Sequence, residues 1–143
     1  MEEKALEMIK QSQIQKKDPR EMSPLVLAYV GDAVFELLVR TRVLDKKGNR
    51  PVNDMNRDAR RLVNAKSQAE MAFRVKDLFT EEEKAVFRRG RNAKSFTAPK
   101  NAVLIDYKHA TGLEAVFGFL YLDGNFERVI SLFEAGCEEE RGD

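Results

Sequence analysis

The chain has 143 residues, 43% of them hydrophobic and 34% charged, and a formal net charge of +1. That suits a single soluble domain with a real core and excludes a polycation that binds nucleic acid along its whole length. One cysteine, Cys137, and one histidine, His109, exclude an internal disulfide and any cysteine-cluster or multi-histidine metal site within one chain.

Residues 1–17 read as a short polar helix with Leu6, Ile9 and Ile14 on one side, ending near Asp18-Pro19. The next helix is expected from about Pro24 to Val43. Ser23 is a good N-cap, and Pro24 sits where a first helical residue tolerates a missing N–H. Leu25, Val26, Leu27, Tyr29, Val30, Ala33, Val34, Phe35, Leu37, Leu38 and Val39 put apolar side chains on nearly every side, which predicts a fully buried helix. Gly31 and Asp32 break that pattern. A mid-helix glycine costs about 1 kcal/mol against alanine, which suggests that another backbone approaches there. An ionised aspartate in an apolar wall needs a partner or a metal.

Lys46 to Pro51 is a turn by composition. One long amphipathic helix is then expected from about Asn53 to Lys76, with Met55, Ala59, Leu62, Val63, Ala69 and Phe73 as its apolar stripe. Thr80-Glu81-Glu82-Glu83 is a capping box opening a short helix that ends near Gly90. From Lys84 to Asn101 the chain carries Lys84, Arg88, Arg89, Arg91, Lys94 and Lys100 and no acid. Its later part, RNAKSFTAPK, reads as an irregular basic loop. Such local basicity suits either a solvated loop or a phosphate-docking surface.

A second strongly apolar helix is expected from about Asn101 to Asp123-Gly124. Its segment ATGLEAVFGFLYLDG carries one carboxylate, Glu114, and the glycines Gly112 and Gly118. A last amphipathic helix uses Phe126, Val129, Ile130 and Phe133 and stops at Gly136. No run of strands, repeat or long linker is evident. One all-α domain spanning 1–143 is the expectation.

Two helices that each place an acid beside a small residue can pack closely and bring Asp32 and Glu114 together. With histidine and cysteine scarce, only oxygen ligands remain, which points to magnesium, with manganese as a substitute. Carboxylates at a helix junction, with a basic segment to hold a polyanion, suit metal-dependent phosphodiester hydrolysis. Spacing alone leaves open that both acids are structural and paired with Arg or Lys. Glu36, one turn after Asp32, can join a site or pair with Arg40, and the pairing is preferred. Asp106 lies about two turns before Glu114 and is a weaker candidate. Thr111 is expected to bond back to its own helix.

LAYVGDAVFELLVR resembles the signature helix of the ribonuclease III family, and LEAVFGFLYLDG resembles that family's second catalytic helix. RRGRNAKSFTAPKN and VNAKSQAE resemble its short branch, Mini-ribonuclease III. Four blocks in the right order cover nearly the whole chain after about Met22. The resemblance implies the all-α fold of a ribonuclease III catalytic domain. It makes Asp32 and Glu114 the catalytic, metal-associated acids. It also implies magnesium-dependent cleavage of double-stranded RNA, a homodimer, and precursor 23S ribosomal RNA as substrate. The single cysteine and the lack of a signal peptide or membrane-length apolar run make a cytoplasmic protein without membrane association the simplest expectation. Arg88, Arg89, Arg91, Asn92, Lys94, Ser95 and Lys100 are the implied RNA-binding residues, since the chain has no room for a separate double-stranded-RNA-binding domain. Full-length members carry a Glu four residues before the signature Asp and an Asp three residues before the second Glu. Here those positions are Ala28 and Thr111, leaving more of an ion's shell to water or RNA phosphate. Rival readings are a non-catalytic RNA-binding protein on the same fold, a helical interaction module, and a nucleotide phosphohydrolase.

Overall fold

The computed structural model describes residues 4–5, 7–8, 17–94 and 103–137. The described residues contain six α-helices and no strand: α1 (Pro24–Lys47), α2 (Val52–Leu62), α3 (Ala65–Val75), α4 (Glu81–Asn92), α5 (Leu104–Leu122) and α6 (Phe126–Gly136). Short 3-10 turns precede α1 (Pro19–Glu21) and follow α3 (Lys76–Leu78). Leu6, Ile9 and Ile14, the expected apolar side of an N-terminal helix, lie outside the described residues.

The hub is α5. Every residue from Ala110 to Leu120 except Glu114 is buried, so this helix is apolar on all sides, as a helix enclosed by neighbours must be. It packs against α1, α4, α3 and α6. Phe117 on α5 lies against Phe35 on α1 at a ring separation of 5.8 Å, and Phe35 in turn meets Phe133 on α6 edge-on at 5.7 Å. Leu27, Phe35, Val39, Leu113, Val116, Phe117 and Val129 are fully excluded from solvent.

The packing of α1 on α5 is backbone to backbone. A Cβ at Gly31 would overlap the carbonyl of Glu114, and a Cβ at Gly118 would overlap the carbonyl of Leu27. The glycine in the middle of α1 is therefore explained by close approach, as its sequence context suggested. A second close crossing joins α4 to α5. A Cβ at Gly90 would stand 2.9 Å from Ala115 Cβ and 3.2 Å from the Thr111 carbonyl.

The helix ends follow the expected local chemistry. Ser23 caps α1 through the Val26 N–H. α1 runs one turn past the expected end, to Lys47, and stops at Gly48, whose φ of +73° favours glycine. Both hydrogen bonds of the Thr80–Glu83 capping box are formed. The Glu83 carboxylate is nearly fully buried and takes both oxygens' bonds from Arg128 at 3.0 Å, which joins α4 to α6. Arg20 spans Asp18, Glu82 and Asp123 and lies over the Phe119 ring.

Three expectations are corrected. The long helix from Asn53 to Lys76 is two helices. The break falls at Val63-Asn64, because Asn64 accepts from Ser67 N–H and starts a new N-terminus, while its amide bonds back to the Arg60 and Arg61 carbonyls. Phe73 is not core. It is 46% exposed and stacks on His109 at 4.8 Å. Finally, α1 is not buried all round: Val26, Tyr29, Ala33, Leu37 and Leu44 form an exposed apolar seam, with Tyr29 81% exposed. No neighbour within the described residues covers that side.

Candidate active site

Asp32 and Glu114 meet where α1 crosses α5. Asp32 follows Gly31 directly, and Glu114 supplies the carbonyl that the absent Gly31 side chain leaves room for. The two carboxyl groups come within hydrogen-bonding reach of each other. Their surroundings differ from what an apolar wall at Asp32 implied. Asp32 is exposed, on the flank between the buried face and the exposed seam of α1, whereas Glu114 is the partly buried member.

Burial most of all, then Asp32 by a hydrogen bond to the protonated form and by like-charge repulsion, together push the Glu114 carboxyl up to about 9. Gln68 on α3 works in the opposite direction and favours the charged form. The amide of Gln68 nevertheless has no acceptor in full hydrogen-bond geometry: its Nε2 is buried and without a partner among the described residues.

No third acid joins. Among the described residues no group of three or more His, Cys, Asp or Glu side chains comes together. Glu36 is engaged by Arg40 at 2.9 Å, as preferred from the sequence. Thr111 donates to the Tyr107 carbonyl one turn back at 2.9 Å, also as expected. Asp106 stands near the start of α5 and does not complete a cluster with the pair. His109 has Nδ1 at 2.8 Å from the Ile105 carbonyl, stacks on Phe73 and meets the Phe87 ring at a tilt, so it belongs to packing.

The basic residues divide. Arg88, Arg89, Arg91 and Asn92 are on the last turns of α4, not on a loop, and Lys94 follows them. Arg88, Arg91 and Asn92 share one side of the helix by their three- and four-residue spacing. Arg89 turns away and donates to the Met22 carbonyl at 3.1 Å. Gly90, between them, abuts Thr111, Gly112 and Ala115, so this basic end of α4 reaches α5 at the level of Glu114. Ser95 and Lys100 lie outside the described residues. Gln68 was missed by sequence reasoning. The available signal was its register: with Met71, Ala72 and Val75 it forms the buried stripe of α3, where a polar residue is out of place.

The geometry is a pair of close carboxylates at a glycine-mediated helix crossing, inside a helical domain. The Ribonuclease III domain family matches this sequence over residues 25–125. The chain belongs to the ribonuclease III family, in its Mini-ribonuclease 3 branch. It is 48% identical to the Mini-ribonuclease 3 of Thermoanaerobacter sp. (strain X514) over 117 residues, 82% of each chain. It is 42% identical to the Mini-ribonuclease 3 of Clostridium tetani over 132 residues, 87% of each. A crystal structure of a Fusobacterium nucleatum protein superposes with a TM-score of 0.76 at 32% identity, over 87% of this chain and 98% of that one.

The Glu114 environment has a measurable consequence in metal-free buffer. The folded protein retains a proton that the unfolded chain releases near the ordinary glutamate value of 4.5, so this group's stability contribution is full below that pH and falls as pH rises toward about 9. The loss is at most about 1.4 kcal/mol per pH unit in that window, less where water reaches the carboxyl. Glu114→Gln cannot ionise. In EDTA at pH 8 it should melt above wild type, with the gap closing toward pH 5. Equal melting temperatures at pH 8 would show that the carboxyl ionises freely in the folded state.

Proposed function

We propose that this ribonuclease III-type endoribonuclease hydrolyses double-stranded RNA with magnesium, using Asp32 and Glu114 as its catalytic acids. The observation that carries the reading is the meeting of these two carboxylates at the α1–α5 crossing of a Ribonuclease III domain. The donor set fits a hard divalent cation. Two oxygen-bearing groups stand close together, and a bound cation would offset the burial, and the neighbouring Asp32, that keep Glu114 protonated. Asp32 and Glu114 would hold it, with manganese as an alternative ion. Such an ion supplies a lowered pKa for the attacking water and charge stabilisation on the phosphoryl oxygens. Asp32, being exposed, is the acid that RNA can approach directly. Glu114 anchors the site from within the core.

An A-form duplex is read by shape, phosphates and 2′-hydroxyls. In this reading the whole chain acts as one catalytic domain. Arg88, Arg91, Asn92 and Lys94 position the backbone, Ser95 and Lys100 are further RNA-binding residues in this reading, and Arg89 is shared with a structural role. The biological substrate we infer, from family likeness, is precursor 23S ribosomal RNA in the cytoplasm. No helix among the described residues is long and apolar enough to cross a membrane. The exposed seam Val26, Tyr29, Ala33, Leu37 and Leu44 supports a homodimer in which α1 meets its counterpart. An exposed apolar stripe on one helix, densest from Val26 to Leu37, suits a two-fold, self-complementary contact. The sparse acid set also suits a fold that binds RNA without cutting it, and the first test separates the two.

With magnesium, wild type should cut a long RNA duplex and leave single-stranded RNA and duplex DNA intact. EDTA should abolish cutting, and folded Asp32→Asn and Glu114→Gln should each be slower by roughly 1000-fold, about 4 kcal/mol of transition-state stabilisation. Binding without any cutting, in magnesium or manganese, would leave the RNA-binding reading in its place.

For the grip, fluorescence anisotropy against salt is decisive. The Arg88→Ala/Arg91→Ala double variant should bind duplex RNA more weakly, with a log–log salt slope smaller by about 2. Wild-type affinity and slope would remove the end of α4 from the interface.

Light scattering tests the seam. Tyr29→Glu with Leu37→Glu should convert a dimer to a folded monomer, and a wild type that is already monomeric would refute the homodimer.

A further inference from the structure

We propose that Gln68 is a positioning residue of the active site, whose side-chain amide donates to the ionised Glu114 carboxylate and holds it in place for the cation. This rests on the metal-dependent reading above and names the chain's own support for it.

Three observations converge. Gln68 is only 5% exposed and occupies the buried stripe of α3 with Met71, Ala72 and Val75, where an apolar residue would pack without penalty. Its Nε2 is buried and has no hydrogen-bond partner among the described residues, although buried donors are nearly always satisfied. The group beside it is Glu114, the partly buried member of the acid pair, on whose charged form Gln68 acts favourably. With no third acid in the cluster, Glu114 has few groups to fix its orientation. A buried amide beside a carboxylate is placed to orient a metal ligand, and loss of such a partner typically weakens metal binding 10- to 100-fold. Asp32 cannot serve, because an ionised carboxylate has no proton to donate.

Gln68→Met keeps the bulk and removes the amide. Replacement of an unmade buried donor by an apolar group of similar shape leaves folding intact or improved. Mn2+ binding to the RNA-free protein, followed by electron paramagnetic resonance, should weaken at least about tenfold in Gln68→Met. In duplex-RNA cleavage, the magnesium concentration for half-maximal rate should rise by a similar factor. KM for RNA at saturating magnesium should stay at the wild-type value. Wild-type Mn2+ affinity in the folded variant overturns the proposal, as does a raised KM for RNA with an unchanged magnesium midpoint, which would make Gln68 an RNA contact. A second readout needs no variant. In 15N–1H spectra of wild type, the Gln68 side-chain NH2 should shift with Mg2+ titration and saturate with it, and a stationary NH2 overturns the proposal. Failure of wild type to bind Mn2+ at all would instead remove the metal-site reading, and this inference with it.

Discussion

Gly31 and Gly118 let α1 and α5 touch through their main chains, each helix placing a carbonyl where the other would carry a Cβ. Because Asp32 follows one of these glycines and Glu114 lies one turn before the other, their carboxyl groups come together only at this spacing. The acids do not draw the helices together. Two carboxylates repel, and the carboxyl of Glu114 is pushed to about 9 by burial and by its neighbour. The crossing is held instead by the apolar surroundings: Leu27, Phe35, Val39, Leu113, Val116 and Phe117 are all fully excluded from solvent. Core packing thus holds in register two acids that cannot both ionise cheaply.

The same turn of α5 is approached from other sides. Gly90 brings the basic end of α4 against Thr111, Gly112 and Ala115, and α3 supplies Gln68. A helix buried on all faces can be contacted by several partners at one level, and here each contributes a different chemistry: an exposed acid, a buried amide, a cationic edge. Ion pairs tie the periphery. Arg128 and the Thr80 N–H together satisfy the buried Glu83, and Arg20 bridges the turn before α1 to α4 and to the end of α5. The Arg20 pairs are solvent-exposed, so their worth is modest. The buried Glu83 would be strongly destabilising if left alone.

Much of this was legible in the sequence because the signals are local. Ser23-Pro24, the Thr80–Glu83 box and Asp123-Gly124 mark helix ends through hydrogen bonds made within a few residues, and those ends stand where expected. The glycine beside an acid in the middle of an apolar helix correctly pointed to a close backbone approach. What misled was hydrophobic content read without register. A stripe of Leu62, Val63, Ala69 and Phe73 suggested one continuous helix, while Asn64 had the side chain to start a second one. Phe73 counted in that stripe by its helical spacing, yet it lies outside and stacks on His109.

By itself the sequence determined that this is an all-helical chain, where most helices start and stop, and which two acids stand beside the glycines of apolar helices. Its motif blocks carried the family. Only the tertiary structure decided which faces are covered. α1 is apolar on nearly every side in sequence, but its Tyr29–Leu37 side has no neighbour within the described chain, because burial is a property of what packs alongside and not of the residue. Likewise Gln68 acquires meaning only from α5 lying across α3, which buries its amide beside a carboxylate 46 positions further along the chain.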